Sequence, residues 1–396
     1  NGKIGKQVFD NWQTSKKIFR YINRVTFIKQ GLPIKIDLSI VRTSTKSYNH
    51  RLIKTYNIDE SNVFNNVATF EIEVEIINTN IKLLYNSIQE LSDGLQKVIK
   101  YVLCGLQQTN YPVSYPEQKL VLDDYFTMLF EEEFIKKHKQ YIPKSRAYPS
   151  DFIGPGLVAL QRKNIALIDG QINIPNITKP YSYCVTDKAD GARCLLFINN
   201  KGRIYLINMN MNVIFTGAIT SEEKCYNSLI DGELILHNKE AIFINLFVAF
   251  DIYYLQSLDV RAIPFMKVPD KDDKYFEQGT RLEKLKAFIH ILKPKSILKD
   301  EDGEEIKSPI TIQSKKFYPL FGDNSGDVNT GELVREKKYN IFEACSFILS
   351  RIRNGLYPYT TDGLIFTPTL LGVGSNKVMS AGPKRSNRWE SLFKWK

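Results

Sequence analysis

The segment Tyr181–Ile198, YSYCVTDKADGARCLLFI, sets one lysine in an Asp-Lys-Ala-Asp-Gly turn between two apolar runs. Apolar, β-branched or aromatic runs on either side of an Asp-Gly pair are typical of two antiparallel strands joined by a turn. Exposed turn lysines are common, and Lys188 could be one of them. A lysine held at a strand end close to Arg193 could instead lose its proton and act as a nucleophile. Only the rest of the chain can decide between these two interpretations.

Composition and charge bound the class of protein. With 43% hydrophobic and 24% charged residues, the 396-residue chain is an ordinary globular protein, long enough for two domains. Its net charge of +11 indicates a polyanionic partner such as nucleic acid or nucleotide phosphate, although a solvated basic surface would give the same sum. The five cysteines and four histidines show no paired metal-ligand spacing, which favours buried thiols in a reducing compartment. No apolar run is long enough to span a bilayer and no secretory leader is visible, so we expect no membrane partner.

Hydrophobic periodicity predicts an α+β protein with two domains. Three segments alternate with period two and predict strands before about Ile77: KIFRYINRVTFI, LPIKIDLSIVR and ATFEIEVEIIN. Two segments with helical spacing follow, IKLLYNSIQELSDGLQKVIKYVLCGL and LVLDDYFTMLFEEEFIKKH. A basic, proline-containing joint then predicts a boundary between domains of residues 1–145 and 146–396. Because the chain starts at Asn1 rather than methionine, we expect it to be part of a longer protein.

Three later segments repeat the chemistry of the opening stretch. SLIDGELIL places Glu233 after an expected Asp-Gly turn, Asp231–Gly232, at a strand start, and LFVAFDIYYL is a strand with two phenylalanines and Asp251. YTTDGLIFTP places Asp362 before another glycine, and the terminal SLFKWK puts Lys394 and Lys396 on one strand face. Each segment alone has an ordinary structural explanation. Together they supply an amine nucleophile, carboxylates for a metal, an aromatic ring for a base and cations for a triphosphate.

The ordered series KADGAR, DGEL, FVAFD, TDGLIF and FKWK resembles motifs I, III, IIIa, IV and V of the covalent nucleotidyltransferases. That superfamily contains the mRNA capping guanylyltransferases and the ATP- or NAD-dependent ligases. The details are similar to the capping branch of large cytoplasmic DNA viruses, the asfarvirus and mimivirus type, and the upstream DFIGPGLVALQRKNI is similar to its lead-in segment. The resemblance covers residues 150–396. It implies a nucleotidyltransferase domain of antiparallel sheets with helices, similar to an ATP-grasp fold.

The resemblance implies a role for each motif residue. Lys188 would attack the α-phosphate of GTP, release pyrophosphate and carry GMP as a phosphoramidate. Since the ordinary pKa of a lysine side chain is about 10.4, nearby cations would have to lower it. The implied GTP-binding residues are Arg193, Glu233, Phe247, Lys394 and Lys396, and the implied ligands of Mg²⁺ or Mn²⁺ are Asp362 and Asp251. Phe247 and Phe250 lie three apart, so they face opposite sides of a regular strand; we assign base stacking to Phe247.

Alternating charges mark the first expected domain. In FEIEVEII, Glu71, Glu73 and Glu75 share one strand face, where they repel one another unless a cation lies among them. The pattern fits either a solvated edge strand or a metal site. Facing one lumen, these glutamates and three basic residues would suit a β-tunnel that binds a metal and a triphosphate; the basic residues are Arg20, Arg24 and Lys35. This resembles the tunnel-type RNA triphosphatase of the viral capping enzymes, but without the family's first glutamate strand.

The sequence therefore predicts part of a viral-type mRNA capping enzyme, a transferase that joins GMP from GTP to the 5′ end of RNA. The resemblance implies a cytoplasmic location, in a viral factory or virion, and further capping domains, an OB-fold and a methyltransferase, in the same polypeptide or a partner subunit. Two alternatives stay open: an ATP-dependent polynucleotide ligase, which shares the Lys-x-Asp-Gly core, and a catalytically silent RNA-binding module. The glutamate strand argues against a ligase, and the intact Lys188, Glu233, Asp362 and Lys394 argue against a silent module.

Overall fold

The computed structural model describes the chain except for residues 1, 30–33, 78–86, 139–145, 167–173, 180, 270, 300–302, 305 and 320–340. The described chain contains both helices and strands, so the expected α+β class is confirmed. Its α-helices are α1 (Lys3–Asp10), α2 (Ile88–Gln107), α3 (Tyr115–His138), α4 (Arg281–Leu292) and α5 (Ile341–Arg353). It folds into two compact units, Asn1–Thr109 and Asn110–Lys396.

The first unit contains a three-stranded antiparallel sheet in chain order. Its strands are β1 (Arg20–Ile28), β2 (Ile34–Thr43) and β3 (Thr69–Ile76). These are the three strands that period-two alternation predicts. The register places Arg24 opposite Ser39, and Ser39 opposite Glu71. Because side chains alternate between faces, one face of the sheet carries the charged residues and the other carries apolar side chains. A closed tunnel is not formed by the described strands of this unit.

The second unit contains two sheets. The larger one follows the strand order β11-β10-β9-β6-β7-β8-β12, with β13 paired in parallel to β10. Its strands are β6 (Ala192–Ile198), β7 (Arg203–Asn208), β8 (Val213–Ile219), β9 (Ser228–His237), β10 (Phe243–Leu255), β11 (Leu258–Asp259), β12 (Lys295–Ser296) and β13 (Thr311–Ser314). The smaller sheet follows the order β14-β5-β15-β16-β4. Its strands are β4 (Gly156–Ala159), β5 (Tyr183–Ala189), β14 (Tyr318–Pro319), β15 (Thr361–Pro368) and β16 (Arg388–Trp395).

Helices cover both faces of the larger sheet. Tyr125 and Leu129 of α3 pack with Leu195 and Tyr205 on one face. On the other face, α4 packs with apolar side chains that point the opposite way, such as Leu196. Helix α5 covers the smaller sheet through apolar contacts with β5 and β15. Each sheet therefore has its own helix-covered core, which holds the strand ends that carry the motifs in fixed positions.

The expected boundary at 145/146 falls beside residues 139–145, which lie outside the described residues. The two compact units instead divide between Thr109 and Asn110. Helix α3 accounts for the difference, because its residues Val121, Tyr125 and Leu129 are buried in the core of the larger sheet. The sequence predicts this helix correctly, but helical periodicity does not reveal which sheet the apolar face packs against. No described helix is long and apolar enough to cross a membrane.

Candidate active site

The opening segment forms two strands that belong to different sheets. Strand β5, which carries Lys188, pairs with β14 and β15, whereas β6, which carries Arg193, pairs with β7 and β9. The prediction of a hairpin is therefore wrong, although both strands and the turn at Asp190–Gly191 exist. The turn crosses from one sheet to the other. A Cβ on Gly191 would lie 2.6 Å from the Leu234 carbonyl oxygen, so the crossing requires glycine.

Lys188 forms an ion pair with Asp362. Its Nζ lies 2.5 Å from Asp362 Oδ1, and the other carboxylate oxygen lies 2.7 Å from Lys396 Nζ. Lys188 and Asp362 lie on the neighbouring strands β5 and β15 of the smaller sheet, and Lys396 directly follows the next strand, β16. Partial burial opposes ionisation of Asp362, but the two lysines lower the pKa of its carboxyl below the ordinary value. The Asp362 carboxylate in turn raises the pKa of Lys396. The sequence-predicted residues of motifs I, IV and V therefore meet in one row.

A β-bulge turns the Asp362 side chain towards Lys188. Thr361 pairs with Ala189 and Leu364 with Asp187, so Asp362 and Gly363 together lie opposite the single residue Lys188. Gly363 has φ +138°, and a Cβ on it would lie 1.9 Å from the Trp395 carbonyl oxygen. The Asp-Gly pair thus supplies both a carboxylate and the one residue type that fits this backbone.

Arg193 is held in a buried network. Its Nε and Nη2 donate to Asp231 Oδ1 and Oδ2 at 3.0 and 2.5 Å, and its Nη1 donates to the Pro155 carbonyl at 2.6 Å. Tyr253 also donates its hydroxyl to Asp231. Burial opposes the charge on Arg193, but the Asp231 carboxylate raises the pKa of the guanidinium. This bidentate pair fixes the orientation of Arg193.

Glu233 lies directly opposite Arg193 in the β6–β9 register and is half-buried. Burial raises the pKa of its carboxyl, while Lys315, Lys188 and Arg193 nearby counteract the rise. The prediction of a turn at Asp231–Gly232 is wrong, since both residues lie within β9. The packing of the Phe247 ring requires glycine at position 232, because a Cβ there would lie 2.3 Å from that ring.

The two phenylalanines of β10 have different environments. Phe247 is 0% exposed and belongs to the core beneath α4. Phe250 is half-buried, at the β-bulge between Ala249 and Asp251, and its ring centroid lies 5.7 Å from Arg193 Cζ. A ring as buried as Phe247 cannot stack on a base without displacing its core neighbours, so its burial does not fit the stacking role predicted for it. The pattern FxxF could not separate the two rings, because a bulge changes the side to which a residue points.

Asp251 forms a buried ion pair with an arginine of α4. Its Oδ1 accepts a hydrogen bond of 2.8 Å from the Nε of the fully buried Arg281. Burial raises the pKa of Asp251, and Arg281 opposes that rise. The structure does not bring Asp251 together with Asp362 as a pair of metal ligands: Asp251 is engaged in a structural ion pair.

Behind Lys188 lies a buried cluster that the sequence analysis missed. The Asp187 side chain points away from Lys188 and accepts hydrogen bonds from Lys315 at 3.1 Å and from the Tyr359 hydroxyl at 3.0 Å. Burial lowers the pKa of Lys315, and the nearby Lys188 lowers it further. Strand alternation at Asp187–Lys188 was the available signal for Asp187, but no sequence pattern links it to Lys315, 128 residues later.

In the first unit the predicted acidic and basic residues face one another in pairs. Arg20 lies 2.5 Å from Glu71, Arg24 lies 2.7 Å from Glu73, and Lys35 lies 2.9 Å from Glu75, each pair joining an Nη2 or Nζ to Oε2. Carboxylate oxygens of Asp37, Glu73 and Glu75 lie within 4.8 Å of one another, close enough to hold a metal ion. This trio contains two of the three glutamates assigned to a metal from sequence. Asp37 takes the place of Glu71, and its charge is compensated by Arg24 and Lys35.

A site of this kind, a lysine beside a carboxylate and a second lysine on a mixed α+β framework, is consistent with a nucleotidyltransferase. Residues 130–325 match the family described as "mRNA capping enzyme, catalytic domain". The chain is also 24% identical over 354 residues to a "Probable mRNA-capping enzyme" of Acanthamoeba polyphaga mimivirus, covering 83% of this chain and 25% of that protein. These findings confirm the resemblance to viral mRNA capping enzymes that the motifs indicated.

The chain spans about a quarter of the length of the curated relative it matches. A solved structure titled "Pmar-Lig_Pre." is similar to 67% of this chain and 49% of its own, at 12% identity and a TM-score of 0.30.

Proposed function

We propose that the second unit is an RNA guanylyltransferase in which Lys188 is the nucleophile. The supporting observation is the row of Lys188, Asp362 and Lys396, in which one carboxylate holds two amines 2.5 and 2.7 Å away. The neutral Lys188 amine attacks the α-phosphorus of GTP, a P–N bond forms, the α–β P–O bond breaks and pyrophosphate leaves. The amine loses its remaining excess proton to solvent or to a neighbouring base. A terminal phosphate oxygen of diphosphate-ended RNA then attacks the same phosphorus, a P–O bond forms, the P–N bond breaks, and Lys188 takes up a proton from solvent and leaves as the free amine.

Positive charge around the reacting phosphorus fits this reaction. Negative charge develops on the phosphate oxygens during displacement, and Lys396, Lys394 and Arg193 are the cations available to neutralise it. Lys315, whose Nζ lies 3.1 Å from Asp187 Oδ2, is a further basic side chain on the inner side of Lys188. Phe250, half-buried next to Arg193, takes the base-stacking role that the burial of Phe247 does not fit.

Mg²⁺ or Mn²⁺ is the expected cofactor, and Asp362 is the residue that fits it best. Its carboxylate is part-exposed, whereas that of Asp251 is already engaged with Arg281. Glu233 accepts no hydrogen bond from the residues that the structure describes, so its carboxylate is a second candidate for the metal shell or the ribose. A hard divalent cation at these carboxylates would supply further neutralisation of the triphosphate.

Labelling separates guanylyltransferase from ligase. The full chain is incubated with Mg²⁺ and α-labelled GTP or ATP, and covalent label is measured after denaturation. We expect label from GTP, released as capped product when diphosphate-ended RNA is added. Label from ATP alone would establish the ligase alternative, and label from neither nucleotide would favour the silent RNA-binding module.

For the first unit we propose a metal-dependent RNA triphosphatase. The observation that favours it is the trio Asp37, Glu73 and Glu75 beside Arg24 and Lys35. A hydrogen bond from Thr26, helped by one from Lys35, lowers the pKa of the Asp37 carboxyl against the opposing effect of burial, so this carboxylate is ionised at neutral pH. A cation there would bridge to the phosphates of triphosphate-ended RNA, which Arg20, Arg24 and Lys35 would also contact.

The test replaces Glu73 and Glu75 with Gln and assays two reactions on one preparation. Release of γ-phosphate from triphosphate-ended RNA should be lost, while GMP labelling of the second unit should continue. Because both glutamates are in exposed ion pairs, we expect the stability to change by no more than about 1 kcal/mol. If the wild-type chain releases no phosphate at any metal concentration, the first unit of this chain is not a triphosphatase by itself.

A further inference from the structure

A groove opens on the second unit beside the Arg193 network. Its volume is about 680 Å³. Its walls come from helix α3, the segment before β4, the β11 region and the loop before β16. The charged and aromatic side chains that line it are Phe130, Asp151, Asp259, Arg261, Lys384 and Arg385. We call it the Lys384 groove.

The acidic groups of the Lys384 groove are already engaged. Asp259 accepts hydrogen bonds of 3.0 and 2.6 Å from Arg261 Nε and Nη2. Burial by itself would raise the pKa of the Asp259 carboxyl, but these hydrogen bonds lower it below the ordinary value. Asp151 Oδ2 accepts the Tyr148 backbone N–H at 3.0 Å. Arg385, in contrast, is exposed and forms no ion pair with the residues that the structure describes. The charge that the groove offers to a ligand is therefore positive.

An aromatic ring lies next to these cations. Lys384 Nζ lies 6.0 Å from the centroid of the half-buried Phe130 ring and donates to the Leu129 carbonyl at 2.5 Å. The loop that carries Lys384 is tightly packed, since a Cβ on Gly382 would lie 2.3 Å from the Gly374 carbonyl oxygen. Cations beside an aromatic ring in a fixed groove are the combination with which proteins bind single-stranded nucleic acid.

The groove and Arg193 share a wall. Ser150 and Asp151 line the groove, and Phe152 and Pro155, a few residues on, contact Arg193. The Phe152 ring centroid is 5.6 Å from Arg193 Cζ, and the Pro155 carbonyl accepts from its Nη1. The groove is therefore linked to Arg193 through one short segment, whose residues 151–155 are buried and so hold this wall in place.

We propose that the Lys384 groove binds the single-stranded 5′ segment of the RNA that accepts GMP. The inference rests on the proposed guanylyltransferase and adds to it the acceptor's binding surface. Phosphates contact Lys384 and Arg385, and a base stacks on Phe130. GTP and the formation of the lysyl-GMP adduct need none of these side chains.

The test compares Arg385→Glu with Lys286→Glu, the same charge reversal at an exposed position of α4 outside the groove. Binding of a fluorescent diphosphate-ended RNA decamer to the full chain is measured by anisotropy across a salt titration. We expect Arg385→Glu to weaken binding about tenfold and to reduce the salt slope by about one. Lys286→Glu should stay within about twofold of wild type. Phe130→Leu should weaken binding about tenfold with an unchanged salt slope.

Adduct formation from GTP alone is measured on the same preparations. Normal adduct formation with weakened RNA binding in Arg385→Glu and Phe130→Leu, and slower GMP transfer to RNA, would support the proposal. Equal RNA affinity for Arg385→Glu and Lys286→Glu overturns it, and loss of binding to an acidic peptide instead would assign the groove to a protein partner. Absence of adduct in the wild type would contradict the guanylyltransferase, while the anisotropy comparison would still decide the groove.

Discussion

At the scale of single residues, Asp362 is the carboxylate that pairs with both lysines of the proposed active site. Replacement by Asn keeps its shape but removes the charge that holds Lys188 and Lys396. We expect adduct formation to slow by about 100-fold or more, as when a charge-stabilising group is removed from other active sites. The stability should fall by only about 1 kcal/mol, because the side chain is part-exposed. Single-turnover labelling and urea unfolding measure the two effects.

Asp273→Asn is the control for this prediction, since it removes an exposed carboxylate paired with Lys267. Equal labelling rates in Asp362→Asn and Asp273→Asn would contradict a role for Asp362.

Glu233 should make stability depend on pH. Burial raises its folded-state pKa above the unfolded value, so the folded protein binds more protons in that interval and stability falls as pH rises through it. Glu233→Gln should lack this decline and be relatively more stable at neutral pH, by an amount on the order of 1 kcal/mol. Urea unfolding between pH 4 and pH 7 measures the difference from wild type. The exposed Glu240→Gln serves as control, and parallel pH profiles for wild type and Glu233→Gln would show that the burial has no energetic effect.

Replacing Phe250 should mainly weaken GTP binding, whereas replacing Phe247 should mainly lower the stability of the fold. Phe250→Ala should weaken GTP binding by about 1–3 kcal/mol, the usual value of a stacked base, with a small effect on stability. Phe247→Ala should cost about 3–5 kcal/mol of stability because it leaves a cavity in the core. The GTP concentration dependence of labelling and urea unfolding separate these effects. A greater loss of GTP affinity in Phe247→Ala than in Phe250→Ala, both measured on folded protein, would restore the assignment made from sequence.

At the scale of secondary structure elements, the bulge in β15 determines where Asp362 points. Gly363→Ala should lower stability and adduct formation, because the added Cβ would meet the Trp395 carbonyl at 1.9 Å. Gly355→Ala is a matched control, since Gly355 also has positive φ, +70°, but open space around its Cβ position. Gly363→Ala should therefore cost at least about 2 kcal/mol more than Gly355→Ala in urea unfolding. Equal costs would mean that the neighbouring strand adapts.

The sequence predicts most of the helices and strands, but it does not predict which strands pair with one another. Period-two alternation indicated β1, β2, β3 and the strands around Lys188, because half-buried strands must alternate. Alternation gives no information about which strand pairs with which, so β5 and β6 read as one hairpin although they belong to different sheets. The ordered motifs indicated Lys188, Asp362 and Lys396. Bulges and long-range contacts, such as Lys315 with Asp187, are set by tertiary packing and leave no local pattern.

At the scale of the whole molecule, the chain consists of two units with different charge arrangements. In the first, acidic and basic side chains alternate across one sheet and compensate one another. In the second, the cations Lys188, Lys396 and Lys315 surround two carboxylates. Two sites of this kind would suit two successive reactions at an RNA 5′ end, each of which can be tested without the other.

The most direct test of the central claim is the location of the GMP on the chain. Full-length wild type and Lys188→Arg are incubated with Mg²⁺ and GTP, digested, and the peptides analysed by mass spectrometry under alkaline conditions, in which a phosphoramidate survives. Arginine keeps the positive charge but cannot be deprotonated at working pH. We predict one GMP on the wild-type peptide that contains Lys188, lost on acid treatment, and none on Lys188→Arg. GMP on another residue, or an undiminished adduct in Lys188→Arg, would contradict Lys188 as the nucleophile.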